Sequence, residues 1–175
     1  MHIPKKFLLS DLLQHHVRCD KGLEHGPGIS AWMHPPQHRL LGWISRPSKL
    51  RLEREVWRLN QIKGINEKEV FVKGGSSLSD QQTLDRFPTL MNSQIFNKHG
   101  QKIGLIADLV FEFRTGNILY YLASRSNPLI PGSSRWLLSI SKIIDKQPGY
   151  ISCDFNTFDD LPIQRASIKE EILSK

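Results

Sequence analysis

The chain has 175 residues, of which 39% are hydrophobic and 23% charged. This composition is typical of a folded protein with one or two small domains, and it excludes an intrinsically disordered chain. No apolar run approaches the roughly 20 residues of a membrane-spanning helix. The N-terminal segment lacks the apolar core of a signal peptide, so we expect neither a transmembrane segment nor secretion.

The charge is strongly basic, because 24 Lys and Arg residues face 17 Asp and Glu residues, which gives +7. Basic residues concentrate between Arg39 and Arg58, where the acidic residues are only Glu53 and Glu55. Such a patch attracts phosphate, an anionic membrane surface or an acidic protein, and charge alone does not choose among them. We define the basic stretch, our candidate partner-binding surface, as Arg46, Lys49, Arg51, Arg54 and Arg58. The alternative is a solvated hairpin face whose apolar residues all face the core.

The chain reads as two copies of one pattern, related by a shift of about 78 residues. Two pairs of glycines and one pair of tryptophans align: Gly22 with Gly100, Gly26 with Gly104 and, one residue further on, Trp57 with Trp136. We expect the tryptophans to lie in the two cores rather than to serve as stacking platforms. The repeat predicts a first, more degenerate domain over residues 7–73, a linker over 74–86, a second domain over 87–158 and a tail over 159–175.

Short β-rich segments alternate with turns throughout the second copy. The predicted strands lie at Gln94–Phe96, Ile103–Phe113, Ile118–Ala123 and Tyr150–Phe155, with turns at 97–100 and 114–117. Strands this short, separated by glycine turns, predict a small closed barrel, because closure removes exposed strand edges. In the tail, Ser167 and Glu170 have the spacing of a capping box and predict a short C-terminal helix. The predicted fold class is therefore mainly β, with two small β-barrels in tandem and one C-terminal helix.

The sequence contains no recognisable catalytic or metal-binding pattern. Cys19 and Cys153 have no CxxC spacing, so we expect two reduced, largely buried thiols. His25 and His99 fall in predicted turns, and no histidine belongs to a cluster with metal-ligand spacing. A nucleophile elbow and a phosphate-binding loop are also missing. We therefore expect a protein that is not an enzyme, with no catalytic residues, no metal and no cofactor.

The second copy resembles the PRC-barrel family. The resemblance rests on three segments, NKHGQKIG (97–104), IADLVF (106–111) and TGNILYYL (115–122), followed by a proline-marked loop at 128–132. It is weaker over the first copy, and two such domains in a short basic chain are similar to the tandem PRC-barrel proteins of cyanobacteria and plastids. The resemblance implies structural roles for the signature residues Gly100, Gly104, Asp108, Gly116 and Pro131.

The resemblance also implies an adaptor rather than a catalyst. The family is named for the cytoplasmic subunit of purple bacterial reaction centres, and it includes the C-terminal barrel of the ribosome-maturation factor RimM. We therefore expect a scaffold or assembly factor that docks through a protein–protein interface on the cytoplasmic face of a photosynthetic membrane complex. Its expected location is the cytoplasm, including the thylakoid surface. The alternative is a ribosome or RNA-processing assembly factor with RNA or a ribosomal protein as partner; DNA is not an expected partner.

Overall fold

The computed structural model describes residues 3–48, 50, 53–77, 84, 89–125 and 135–156. The chain divides into two compact units. The first unit contains Met1–Thr89 and Phe111–Asn117, and the second contains Leu90–Val110 and Ile118–Lys175. The predicted C-terminal helix and three of the predicted site residues, Lys49, Arg51 and Pro131, lie outside the described residues.

The first unit is a curled β-sheet preceded by a short helix. The chain enters through β1 (Lys6–Leu8) and α1 (Leu9–Gln14). The strands that follow are β2 (His16–Cys19), β3 (Glu24–His34), β4 (Arg39–Ser45), β5 (Glu55–Arg58), β6 (Ile62–Ile65) and β7 (Glu69–Val72). Their order in the sheet is β5-β4-β3-β2-β7-β6, and β2 and β7 run parallel while the other pairs are antiparallel.

The second unit repeats this topology strand by strand. Its strands are β8 (Gln94–Phe96), β9 (Lys102–Glu112), β10 (Ile118–Ser124), β11 (Arg135–Ser139), β12 (Ile143–Gln147) and β13 (Tyr150–Cys153). The last two residues of β9 are counted with the first unit. The order β11-β10-β9-β8-β13-β12 is that of the first sheet with every strand moved six places along the chain, including the parallel pair, here β8 and β13. The mainly β fold and the internal repeat are therefore confirmed.

The first glycine of each copy closes the same tight turn. Gly22 and Gly100 have φ angles of +78° and +74°, in the left-handed region that favours glycine. The N–H of Gly22 donates to the Cys19 carbonyl at 2.9 Å, and the N–H of Gly100 donates to the Asn97 carbonyl at 3.1 Å. The alignment of the two copies therefore holds at the level of single hydrogen bonds.

The second glycine of each copy lies where two strands approach closely. A Cβ at Gly26 would lie 2.1 Å from the carbonyl oxygen of Arg46, and a Cβ at Gly104 would lie 2.4 Å from that of Ser124. Arg46 and Ser124 are themselves 78 positions apart. The same close approach of backbone thus requires glycine in both copies.

Aligned aromatic side chains fill the two cores. Trp57 and Trp136 are 0% and 1% exposed, so the prediction that they are core residues is confirmed. Trp43 and Tyr121, which also align, are both fully buried. The indole N–H of Trp57 donates to the hydroxyl of Ser45 at 2.8 Å, which satisfies this buried polar group.

Candidate partner-binding surface

The described members of the basic stretch lie around the β4–β5 strand pair. Ser45 pairs with Glu55 in this antiparallel ladder, so Arg46 and Arg54 leave the pair at the same end. Arg54 and Arg58 are exposed, whereas Arg46 is half-buried and its Nε is fully covered. The structure therefore places two exposed guanidinium groups and one partly covered group around one edge of the first sheet.

Arg58 is held in a defined orientation by an aromatic ring. Its Cζ lies 5.4 Å from the centroid of the Trp32 ring, which is the geometry of a cation–π contact. Gly42 pairs with Trp32 on one side and with Arg58 on the other. Because Gly42 has no side chain, the Arg58 side chain can cross the strand between them. The Trp32 ring thus positions the guanidinium group of Arg58, and Arg58 remains exposed.

An apolar cluster lies on the same sheet face as these arginines. It consists of Trp32, Ile44 and Val56, with Leu41 and Leu84 packed against it. Residues on a strand alternate between faces, so Val56 shares its face with Arg58, and Trp57 points to the other side. Val56 and Trp57 are both fully buried and therefore pack on opposite faces of the strand.

The turn around the signature residue Gly116 belongs to the first unit and binds Arg39, one of the basic residues of that unit. Gly116 has φ +73°, and a Cβ there would lie 2.1 Å from the Leu40 carbonyl oxygen. The Leu40 N–H donates to the Gly116 carbonyl at 2.7 Å. The Nε of Arg39 donates to the Thr115 carbonyl at 2.9 Å. Arg39 therefore contributes to the structure of this unit as well as to its charge.

Asp108, the acidic signature residue, lies inside β9 and is only 5% exposed. Its Oδ1 accepts a hydrogen bond from the N–H of Leu109 at 2.8 Å. A buried carboxylate is tolerated only when hydrogen bonds replace its hydration. This geometry is that of a structural acceptor within the strand.

A cluster of Cys19, His25 and Glu55 in the first unit was not found by the sequence analysis. His25 lies in strand β3 and not in a turn, so that prediction was wrong; His99 does lie in a turn. The His25 Nδ1 lies 2.7 Å from a carboxylate oxygen of Glu55, and its ring packs edge-on against Trp57 at 4.8 Å. The other ring nitrogen, Nε2, is buried and makes no well-formed hydrogen bond within the described residues.

The two cysteines, both free and buried, lie in opposite electrostatic environments. The neighbouring His25 is the main cause that lowers the pKa of the Cys19 thiol. Burial by itself would lower the pKa of His25, but the interactions with Cys19 and Glu55 outweigh it and raise that pKa. Burial raises the pKa of Cys153 to about 12. The repeat could have drawn attention to Cys19, because it aligns Cys19 with Asn97. The side chain of Asn97 accepts the hydrogen bonds of the corresponding turn in the second copy.

A surface pocket of about 620 Å³ on the first unit is lined by His16, Glu24, Asn66, Glu67, Lys68 and Glu69. In this lining, His16 contacts Glu24, and Glu69 forms an ion pair with Arg18 at 2.6 Å. Among the residues that the structure describes, no three His, Cys, Asp or Glu side chains are arranged to hold a metal ion. Two of the acidic side chains that line the pocket, Glu24 and Glu69, therefore already have partners.

The comparison with protein families concerns the second copy of the repeat. The family model for the PRC-barrel domain matches residues 83–159. This part of the chain is a PRC-barrel domain. The first copy lies outside the matched residues, although its sheet has the same strand order. No curated protein matches the chain. In the described ranges, no helix combines the length and the hydropathy needed to cross a bilayer.

Proposed function

We propose that this protein is a non-catalytic scaffold or assembly factor that docks on an acidic protein surface through the basic stretch. A PRC-barrel domain points to a role in protein interaction or assembly. The observation that carries the proposal is Arg58, an exposed arginine whose guanidinium group is oriented by the Trp32 ring. A planar guanidinium held in one orientation matches the two oxygens of a carboxylate and loses little side-chain freedom on binding.

The spacing along the strand brings the two arginines together. Arg54, Val56 and Arg58 alternate with Glu55 and Trp57, so the two exposed arginines lie on one face of the strand, with the buried Val56 between them. Arginine is enriched at protein–protein interfaces, and two arginines on one face offer adjacent guanidinium groups to an acidic surface.

The finer part of the proposal concerns the partner and its location. We infer that the partner is a subunit of a photosynthetic membrane complex, reached from its cytoplasmic face, with the protein in the cytoplasm or peripheral on the thylakoid. The support is the resemblance to the reaction-centre subunit together with the basic stretch.

The test is a pull-down with the tagged full chain from detergent-solubilised membranes, divided into nuclease-treated and untreated halves. The variant Arg54→Glu/Arg58→Glu is compared with the matched control Lys63→Glu/Lys102→Glu, which makes the same charge change at exposed strand positions. Membrane-complex subunits should survive nuclease. Binding should fall by roughly tenfold or more in the arginine variant alone, because close interfacial charge pairs contribute about 1.5 kcal/mol or more.

Two other outcomes would change the conclusion. Ribosomal proteins or RNA that disappear with nuclease would favour the ribonucleoprotein alternative. Equal binding by the arginine variant and the lysine control would show that the basic stretch is a solvated face and not the interface.

A further inference from the structure

The turn after Cys19 reproduces the turn after Asn97 and holds a sulfur where the other copy holds an amide oxygen. In the second copy, Asn97 Oδ1 accepts hydrogen bonds from the backbone N–H groups two and four residues further on, both at 2.9 Å. In the first copy, the Cys19 N–H donates to the Leu23 carbonyl at 3.0 Å, as the Asn97 N–H donates to the Gln101 carbonyl at 2.9 Å in the second copy. Arg18 pairs with Glu24 in the β2–β3 hairpin, so Cys19 and His25 are diagonal neighbours on one face of this hairpin.

His25 is placed to take the proton that the thiol loses. The carboxylate of Glu55 lies 2.7 Å from His25 Nδ1, where it can accept a hydrogen bond from the Nδ1–H tautomer. The lone pair then lies on Nε2, the buried ring nitrogen that makes no well-formed hydrogen bond within the described part of the chain. A nucleophile, a base and a carboxylate that orients the base form the arrangement that activates cysteines in proteins.

The second copy does not carry this arrangement. The positions that align with Cys19 and His25 are Asn97 and Ile103, and Ile103 is a core residue with 1% exposure. The repeated fold therefore needs neither a thiol nor an imidazole at these two places. The cluster in the first copy is a local addition to a framework that stands without it.

We propose that Cys19 is a reactive thiol that exchanges with low-molecular-weight disulfides, with His25 as its proton acceptor and Glu55 as the positioning residue. His25 Nε2 takes the proton from the Cys19 thiol, and the thiolate attacks one sulfur of the disulfide. The S–S bond of the reagent breaks, and a mixed disulfide forms at Cys19. The departing thiolate takes the proton from His25 and leaves as a thiol, so one disulfide replaces another without net oxidation.

Access to the sulfur is through the exposed turn that follows β2. Cys19 is 8% exposed, while the next residues of the turn are exposed. The charged groups that act on the pair are Glu55, which faces the imidazole, and Arg18, which interacts electrostatically with Cys19. Arg18 also pairs with Glu69, and this pair remains intact in the variants below.

The experiment follows the reaction of the full chain with oxidised glutathione and, separately, with iodoacetamide between pH 5 and pH 9. Mass spectrometry of peptides measures the adduct at each cysteine, and Cys153, which is fully buried, is the internal control. The variants His25→Gln and Glu55→Gln are compared with His15→Gln and Glu53→Gln, and circular dichroism verifies that each variant is folded. His15 lies at the end of α1, and Glu53 is exposed near Glu55.

We expect Cys19 to react at least about tenfold faster than Cys153 at pH 7, since one pKa unit changes the thiolate fraction about tenfold. His25→Gln should move the pH profile of Cys19 to higher pH, Glu55→Gln should move it part of the way, and the two controls should leave it unchanged. Equal rates at the two cysteines in the unmodified chain would overturn the proposal. A profile that does not move in either cluster variant would overturn it too. If His25→Gln does not fold, Glu55→Gln and the comparison with Cys153 decide.

Discussion

Replacing Gly104 by alanine tests whether close packing of backbone requires this glycine. A Cβ there would lie 2.4 Å from the Ser124 carbonyl oxygen, about 1 Å short of the 3.4 Å at which ordinary contact begins. The φ angle of Gly104 is outside the left-handed region, so alanine meets no backbone strain of its own. Ser124 pairs with Arg135 in the next strand, and its carbonyl cannot withdraw without disturbing that ladder. Overpacking of a well-packed interior costs about 1–3 kcal/mol, and we expect a value near 3.

The matched control is Gly100→Ala in the same copy. Gly100 has φ +74°, and a Cβ there would meet nothing within 4 Å, so only the left-handed conformation opposes alanine. That conformation costs about 1–2 kcal/mol for a residue with a side chain. Urea unfolding followed by circular dichroism gives the free energy of unfolding of both variants by linear extrapolation. If Gly104→Ala costs no more than Gly100→Ala, the steric argument for the second glycine is wrong.

Three further predictions concern single contacts. Trp57→Phe removes the buried hydrogen bond to Ser45 and should lower the free energy of unfolding by about 1–3 kcal/mol, measured by urea unfolding. Asn97→Ala removes the acceptor of two turn N–H groups and should cost about 1–3 kcal/mol in the same assay; an unchanged midpoint would contradict this role. The ion pair with Lys98 lowers the pKa of Asp154, so its stabilisation is present above the unfolded pKa near 3.8 and is lost as the pH falls through the folded value. Lys98→Gln should therefore lose less stability than the unmodified chain when thermal unfolding is followed from pH 6 to pH 2, and parallel pH curves would refute the assignment.

The parts of the fold that local rules determine could be predicted from the sequence. Gly22 and Gly100 are glycines because a tight turn needs a positive φ, and Gly26 and Gly104 are glycines because two backbones touch. Both requirements leave a mark in the sequence, so the repeat was visible before the sheets were known. The repeat also predicts that the two copies share one topology, but the order of the strands within each sheet came only from the structure.

The parts that depend on distant pairing could not be predicted in this way. Helix α1 buries Leu9 and Leu12 but is too short to give a periodic signal. His25 and Glu55 are 30 positions apart, and only the β3–β4–β5 ladder brings them together. The cation–π contact of Arg58 likewise requires that Trp32, Gly42 and Arg58 share one register. Charge density identified the basic stretch but could not show which arginine is held in place.

The two copies share the backbone of the turn that follows β2 and β8 and differ in the side chains that it carries. Asn97 satisfies the two N–H groups of its turn with an amide oxygen, and Ile103 fills the adjacent core with an apolar side chain. At the aligned places, the first copy carries the thiol of Cys19 and the partly buried imidazole of His25, which contacts Glu55. A buried polar group stabilises less than an aliphatic side chain of similar size, and local departures from the best packing are a usual mark of functional sites. The first copy lies outside the PRC-barrel match and also carries the described arginines of the basic stretch. We therefore expect the function that distinguishes this protein to depend on residues of the first copy.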